Sequence, residues 1–339
     1  MVESISNTTP ASANDEDSLQ TFLFESCNVR GEIVRLGSSW RTIQERRSYP
    51  PAIQRHLGEM VAAGALLCAT LKFDGTLILQ AQGTGPVQLL VVECTADLTI
   101  RATVKMHPDL EAGSDLPKNL SLSELINPDG NGKLAITLAP KKRQEGQQAY
   151  QGIVPLMNEK NQAIESIAEA VTIYMRNSEQ LETRIWLASD DQFSAGMLLQ
   201  RLPQMGGKQL INPKSDEELE DTWNRLQLLA GTCSDEELLN TPPEKMMRRL
   251  FQEESEWQEV RCFPMRAIQF QCTCSRERVG NMLLLLGHDE VEDILSEQGK
   301  IETSCDFCGA SYQFDAVDCK QLFSSDNLVD GIRPPLGNH

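Results

Sequence analysis

The sequence predicts an α+β protein with an N-terminal domain of mixed sheet and helix, a helical linker and a small C-terminal domain that contains paired cysteines. Three observations lead to this prediction. A chain of 339 residues, at about 150 residues per domain, allows two domains and a further small module. The composition is that of a globular protein, with 40% hydrophobic and 24% charged residues. The predicted strands come in consecutive pairs rather than in β-α-β alternation, which favours α+β over a doubly wound parallel fold.

The N-terminal domain is predicted over residues 18–205, after a polar and acidic leader, residues 1–17, that is predicted to be disordered. A nearly all-apolar segment after Pro50 and Pro51 predicts a buried helix, and a second, amphipathic helix is predicted from Asn161. Glycine-containing turns separate the strands and predict long antiparallel hairpins. Runs rich in Val, Ile, Leu, Phe and Thr predict strands at 19–26, 29–36, 76–82, 87–94 and 98–106.

The linker is predicted over residues 206–262. Within it, residues 214–261 carry 13 acidic and 6 basic side chains. The linker is predicted to form short helices, which are only marginally stable on their own. They therefore need a surface on which to dock, and we expect that surface to be the cysteine-containing domain. Capping boxes predict three helix starts, Ser215 with Glu218, Ser234 with Glu237, and Thr241 with Glu244. The apolar faces of these helices contain Trp223, Met246, Met247, Leu250, Phe251 and Trp257.

Charge, hydropathy and the motifs present argue against several functions. The net charge of −18 argues against binding to nucleic acid, because affinity for phosphates needs a basic surface. The N-terminus lacks the features of a secretory signal, which predicts a cytoplasmic protein. The longest nearly apolar run, 11 residues from Val61, is too short to span a bilayer, which needs about 20. Catalytic acid/base pairs, nucleophile motifs and phosphate-binding loops are not evident, so the sequence does not predict an enzyme.

The C-terminal domain is predicted over residues 263–325, followed by a frayed tail at 326–339. Its main feature is a CxC pair, Cys272 and Cys274, followed by a CxxC pair, Cys305 and Cys308. Four thiolates in two close pairs are typical ligands of a tetrahedral Zn²⁺. The metal could simply stabilise a module too small to hold a core. The CxC spacing also allows redox chemistry, because loss of zinc would leave two thiolates close enough to meet.

Other cysteines flank this cluster. Cys262 and Cys319 are candidates for spare ligands, resolving thiols or inert side chains. Cys27, Cys68 and Cys94 lie within predicted strands or helices and are expected to be small core residues.

Several segments resemble the family of bacterial redox-regulated 33 kDa heat-shock chaperones. The likeness extends from Leu19 to Phe323 and includes QCTCSRERV, LLLLGHDEVEDIL, CDFCGASYQF, YQGIVPL and GMLLQRLP. It implies an ATP-independent holdase of the stress response that is inactive while Cys272, Cys274, Cys305 and Cys308 bind zinc. It further implies that oxidation releases the zinc and forms Cys272–Cys274 and Cys305–Cys308 disulfides. The linker would then unfold and engage unfolded or oxidatively damaged client proteins, and the oxidised chain would be a homodimer.

Two other functions remain open at this level. A structural zinc-ribbon module could bind a protein partner without redox regulation. A thiol-disulfide oxidoreductase could use the CDFC motif catalytically, but the βαβ context of thioredoxin-like enzymes is missing around it.

Overall fold

The computed structural model describes residues 16–47, 49–71, 73–110, 116–141, 149–158, 160–203, 215–252 and 260–324. Residues 1–15 of the predicted leader, residues 206–214 and 253–259 of the predicted linker and the predicted tail 326–339 lie outside these ranges. The chain divides into two compact units, Met1–Gln271 and Cys272–His339. This division lies nine residues beyond the predicted start of the cysteine-containing domain at 263. No described helix combines the length and apolarity needed to cross a bilayer.

The first unit contains two β-sheets. The first sheet has the order β10-β1-β2-β9-β8, with β11 also paired to β1, and the second has the order β12-β5-β4-β3-β6-β7. Its strands are β1 Ser18–Phe24, β2 Val29–Leu36, β3 Gly75–Gln82, β4 Val87–Thr95, β5 Thr99–Met106, β6 Lys133–Pro140, β7 Tyr150–Pro155, β8 Thr183–Ser189, β9 Ser194–Arg201, β10 Val260–Cys262, β11 Arg266–Ala267 and β12 Gln269–Phe270. The hairpins β3–β4 and β4–β5 are antiparallel, which confirms their prediction and the α+β class.

Helices of the first unit include α1 Ser38–Arg46, α2 Pro51–Thr70, α3 Leu122–Ile126 and α4 Ile167–Asn177. The predicted buried helix is α2, which contacts strands of both sheets and lies at the centre of the main core. The predicted start of α4 at Asn161 was wrong by six residues. Asn161 has φ of 57° and closes a tight turn with Asn158, so the helix begins only after its cap, Ser166.

The three linker helices are α5 Asp216–Ala230, α6 Asp235–Asn240 and α7 Pro243–Phe251. The capping boxes at Ser215 and Ser234 are confirmed. The third capping box was wrong, because the Thr241 amide closes α6 by donating to the Glu237 carbonyl. Helix α7 therefore begins after Pro242, and no side chain caps it.

These linker helices dock on the first sheet, so the expectation that they dock on the cysteine-containing domain was wrong. Polar contacts also join the first sheet to the linker helices. Arg35 donates to the Leu239 carbonyl at 2.6 Å, and Arg184 donates to the Gln227 side chain at 2.7 Å. Buried apolar side chains from both partners form one cluster, here called the docking cluster. Its sheet residues include Phe22, Phe24, Val29, Ile33, Met197 and Leu199, and its helix residues include Leu219, Trp223, Leu226, Leu238, Met246, Met247, Leu250 and Phe251.

The second unit is small. Its described elements are α8 Arg276–Leu286, α9 His288–Gln298, β13 Ile301–Ser304, β14 Ser311–Phe314 and α10 Ala316–Leu322. Ser275 caps α8, while Gly287 and Gly299, both with positive φ, end α8 and α9, as the sequence predicts. The predicted β-hairpin is the antiparallel pair β13–β14. Among the residues described in this unit, the buried core consists of Leu283, Val291, Ile301, Phe314 and Cys319.

Candidate metal centre

Two chain segments of the second unit bring its paired cysteines together. Cys272 and Cys274 lie just before α8, and Cys305 and Cys308 lie in the turn between β13 and β14. This turn is tight because the Gly309 amide donates to the Cys305 carbonyl at 2.8 Å and the Cys305 amide donates to the Ala310 carbonyl at 2.9 Å. Gly309 has φ of 70°, a conformation that glycine adopts without the strain a side chain would cause.

The four sulfur atoms form one compact group. All of them lie within 4.8 Å of one another. The Cys272 and Cys305 sulfurs are 3.6 Å apart, and those of Cys274 and Cys308 are 3.3 Å apart. In a tetrahedral zinc site with bonds of about 2.3 Å, ligand sulfurs lie about 3.8 Å apart, so this arrangement could hold such an ion with small adjustments.

The electrostatics of the cluster favour one ionised thiol. Burial raises the pKa of Cys272, but hydrogen bonds from the Cys274 amide and the neighbouring thiols outweigh burial and lower that pKa to about 7. Burial and the neighbouring thiols raise the pKa of Cys308 to about 12, and burial also raises the pKa of Cys305. A divalent cation would favour all four thiolates, since its charge offsets their mutual repulsion.

A tyrosine that the sequence analysis did not identify also touches the cluster. The Tyr312 hydroxyl donates to the Cys274 sulfur at 3.0 Å. This hydrogen bond is the main reason that the pKa of Tyr312 is raised to about 12. The same unit is held together by Arg276, which donates to the Gln313 carbonyl at 2.6 Å and forms an ion pair with Asp318 at 2.6 Å.

The remaining cysteines do not belong to the four-sulfur group. Cys319 is buried in the small core of the second unit, and Cys262 is exposed on β10 of the first unit. Cys27, Cys68 and Cys94 are buried, as expected for core residues. Cys233, between α5 and α6, was not considered from the sequence, and its sulfur lies 3.5 Å from that of Met246.

The side chains expected to bind clients do not lie on a free surface. Trp223, Met246, Met247, Leu250 and Phe251 are all buried in the docking cluster. The Phe251 ring lies 5.4 Å from that of Phe24 and 6.0 Å from that of Phe22. Trp257 lies outside the described residues. The structure therefore places the described candidates where only a rearrangement of the linker helices would make them accessible.

Comparisons with known proteins give a consistent result. The model of the Hsp33 protein family matches residues 17–315. The chain is 45% identical over 316 residues to the 33 kDa chaperonin of Methylobacillus flagellatus, covering 93% of this chain and 97% of that protein. It is 44% identical over 313 residues to the 33 kDa chaperonin of Chromobacterium violaceum, covering 92% and 96%. Its fold is similar to the crystal structure of the Thermotoga maritima 33 kDa chaperonin, with a TM-score of 0.70 and 22% identity over 91% of this chain and 97% of that one.

Proposed function

Because this chain belongs to the Hsp33 family of chaperones, we propose that it is an ATP-independent holdase whose activity is switched on by oxidation of Cys272, Cys274, Cys305 and Cys308. The observation that carries the proposal is the compact group of four sulfurs in a unit with a small apolar core. The protein would act in the cytoplasm on unfolded or oxidatively damaged client proteins.

In the reduced state, these four cysteines would bind one Zn²⁺. The ion would supply a covalent-like cross-link between the segment before α8 and the β13–β14 turn. Metal binding contributes on the order of 10 to 16 kcal/mol in small zinc modules, which is more than a core of this size supplies. Keeping the four thiolates together would therefore keep the second unit folded.

Oxidation would remove this support. With hypochlorous acid, two cysteine thiols lose two electrons and two protons to form one disulfide, and the oxidant is reduced to chloride and water. Disulfides Cys272–Cys274 and Cys305–Cys308 would consume all four thiols. Because two close sulfur contacts, of 3.6 and 3.3 Å, run between the pairs, peptide mapping of the oxidised protein should also look for Cys272–Cys305 and Cys274–Cys308.

The chain connection explains how such a change could reach the linker. Cys272 directly follows Gln271, whose amide donates to the Ile100 carbonyl at 3.1 Å in the first unit. Disorder that begins at Cys272 would propagate along the preceding strands toward α7. Release of α5, α6 and α7 would expose both their own apolar faces and the sheet face of the docking cluster.

The surfaces exposed in this way suit a holdase. Methionine and aromatic side chains such as Met246, Met247 and Phe251 adapt to varied apolar partners. The net charge of −18 would keep the opened protein soluble while it holds a client. We further propose that the oxidised form is a homodimer.

The test is suppression of aggregation of a thermally unfolding client enzyme by reduced, zinc-loaded protein and by oxidised, zinc-free protein. Oxidised protein should suppress aggregation and reduced protein should do so poorly. ATP should not change either result. Equal protection by both forms would reject the switch, and protection by neither would favour a structural zinc-ribbon interaction module.

A further inference from the structure

Residues 260–271, here called the strap, cover one edge of each β-sheet in the first unit. Strands β10 and β11 of the strap add to β1 in antiparallel orientation, and β12 adds to β5 in parallel orientation. Without the strap, β1 and β5 would each present an unpaired row of backbone donors and acceptors. Such edges bind other extended chains readily.

Backbone hydrogen bonds fix the strap on both edges. The Phe263 amide donates to the Thr21 carbonyl at 3.0 Å on the β1 edge. The amides of Gln269 and Gln271 donate to the Leu98 and Ile100 carbonyls at 3.2 and 3.1 Å on the β5 edge.

Two side chains, Gln20 of β1 and Ser39 of α1, also bind the strap backbone. The Gln20 amide group donates to the Phe263 carbonyl at 2.7 Å, and the Ser39 hydroxyl accepts from the Phe270 amide at 2.8 Å. Both are buried, and Ser39 is itself held by the Asp17 carboxylate. These groups are positioned to bind a main chain, whatever its side chains.

Most of the strap's own side chains contribute little to this fit. Most of them are exposed, including Met265, which is 49% exposed. Ile268 is only 2% exposed and packs into the main core. Phe270 and Val260 are partly buried and pack against the main core and the docking cluster, respectively. The two edges therefore require an extended backbone and a few apolar side chains, of which Ile268 is the most deeply buried.

We propose that, once the strap is released, the edges of β1 and β5 bind extended segments of unfolding client proteins by strand addition. The client would run antiparallel to β1 and parallel to β5, and an apolar side chain would occupy the place of Ile268. This inference rests on the proposed function and adds a second kind of client contact to the apolar face of the docking cluster. Backbone pairing suits a holdase, because it gives affinity without requiring a particular sequence.

The first experiment uses a labelled peptide of residues 260–271 that carries Cys262→Ser, together with the full-length protein. The peptide should bind the oxidised protein and compete with client protection, and it should not bind the reduced protein, whose own strap occupies the edges. The matched control is the same peptide N-methylated at Gln269 and Gln271, which keeps every side chain but removes two donors. Its binding should be weaker by about tenfold or more.

The second experiment changes the strap in the reduced, zinc-loaded protein. Ile268→Asp should prevent the strap from seating, so this variant should bind the labelled peptide without oxidation and with its zinc retained. Met265→Asp, the same substitution at an exposed strap position, should behave like the unchanged protein. Circular dichroism would show that both variants are folded. If Ile268→Asp is misfolded, the comparison of the methylated and unmethylated peptides still tests the inference.

Equal binding of the methylated and unmethylated peptides would overturn the inference, because it would assign recognition to side chains rather than to a sheet edge. A peptide that weakens dimerisation of the oxidised protein but leaves client protection unchanged would also overturn it. That result would show that the edges bind a second copy of the chain rather than clients. Either outcome leaves the holdase function intact as long as oxidised protein still protects clients. Oxidised protein that protects no client would instead reject the proposed function, and the inference with it.

Discussion

A phenol hydrogen bond is the smallest feature that could tune the cysteine cluster. Tyr312 donates to the Cys274 sulfur at 3.0 Å. A hydrogen bond to an ionised acceptor is stronger than one between neutral groups, so this contact would favour the thiolate and fix its direction toward the other three sulfurs. Outer contacts of this kind commonly change metal affinity by 10- to 100-fold.

We therefore predict that Tyr312→Phe lowers zinc affinity by about tenfold, since it removes the donor and keeps the ring. Competition with a chelating dye measures this affinity. Tyr150→Phe, at an exposed tyrosine of the first unit, is the control and should leave the affinity unchanged. Equal affinities for the two variants would assign Tyr312 no part in the site.

Zinc content tests the ligands themselves. Purified reduced protein should contain about one zinc per chain, and Cys305→Ser should lose most of it, because three thiolates and a hydroxyl bind zinc far more weakly than four thiolates. Cys262→Ser, at an exposed cysteine of the first unit, should keep its zinc. Elemental analysis gives the answer, and full zinc retention in Cys305→Ser would disprove the ligand assignment.

The sequence could predict the cluster but not its surroundings. In a small module, two close cysteine pairs are typical of a metal site. Their spacing alone therefore identified the four candidate ligands, Cys272, Cys274, Cys305 and Cys308. Tyr312 did not, because its contact depends on the register of β13 with β14, which places Tyr312 opposite Thr303. A hairpin can be predicted from composition and turn residues, whereas its register is decided by packing.

Among the linker helices, α7 contacts strands β1 and β2 of the first sheet. Its last residue, Phe251, is fully buried and packs edge-to-face against Phe24. The helix itself is short, with nine residues, so its stability depends on this contact rather than on its own hydrogen bonds.

Phe251→Ala should consequently release part of the linker. Truncation of a buried phenylalanine costs about 3 to 5 kcal/mol, comparable with the whole stability of a small domain. The reduced, zinc-loaded variant should show partial client protection and faster protease cleavage between residues 214 and 261. Maximal protection after oxidation could fall, because Phe251 is also a candidate client contact.

Leu228→Ala is the control for this prediction, because Leu228 lies on α5 but is 74% exposed. It should remain protease-resistant and inactive when reduced. If Phe251→Ala behaves in the same way, the linker is not the metastable element.

Local signals predicted the linker helices well and their docking site poorly. Ser215 and Ser234 define helix starts through contacts three residues away, which sequence patterns capture. The pairing of Phe251 with Phe22 and Phe24 joins residues more than 200 positions apart, and nothing local specifies it. The third predicted capping box was wrong because the Thr241 amide instead donates to the Glu237 carbonyl and ends α6.

The molecule as a whole combines a small unit that contains the four-cysteine cluster with a first unit that contains the docking cluster. The four sulfurs belong to the second unit, whereas the docking cluster and the strap belong to the first. The covalent chain from Gln271 to Cys272 links these parts. We propose that oxidation at the cysteines unfolds the linker on the first unit while the core of that unit stays folded.

Amide hydrogen exchange of the full-length protein tests this proposal. In the reduced, zinc-loaded state, amides of residues 215–252 and 260–271 should be protected. After oxidation and zinc release, these two segments should lose their protection, while amides of β3, β4 and β6 keep theirs, since these strands lie in the main core. Client protection that develops after oxidation with unchanged exchange in residues 215–252 and 260–271 would contradict the account.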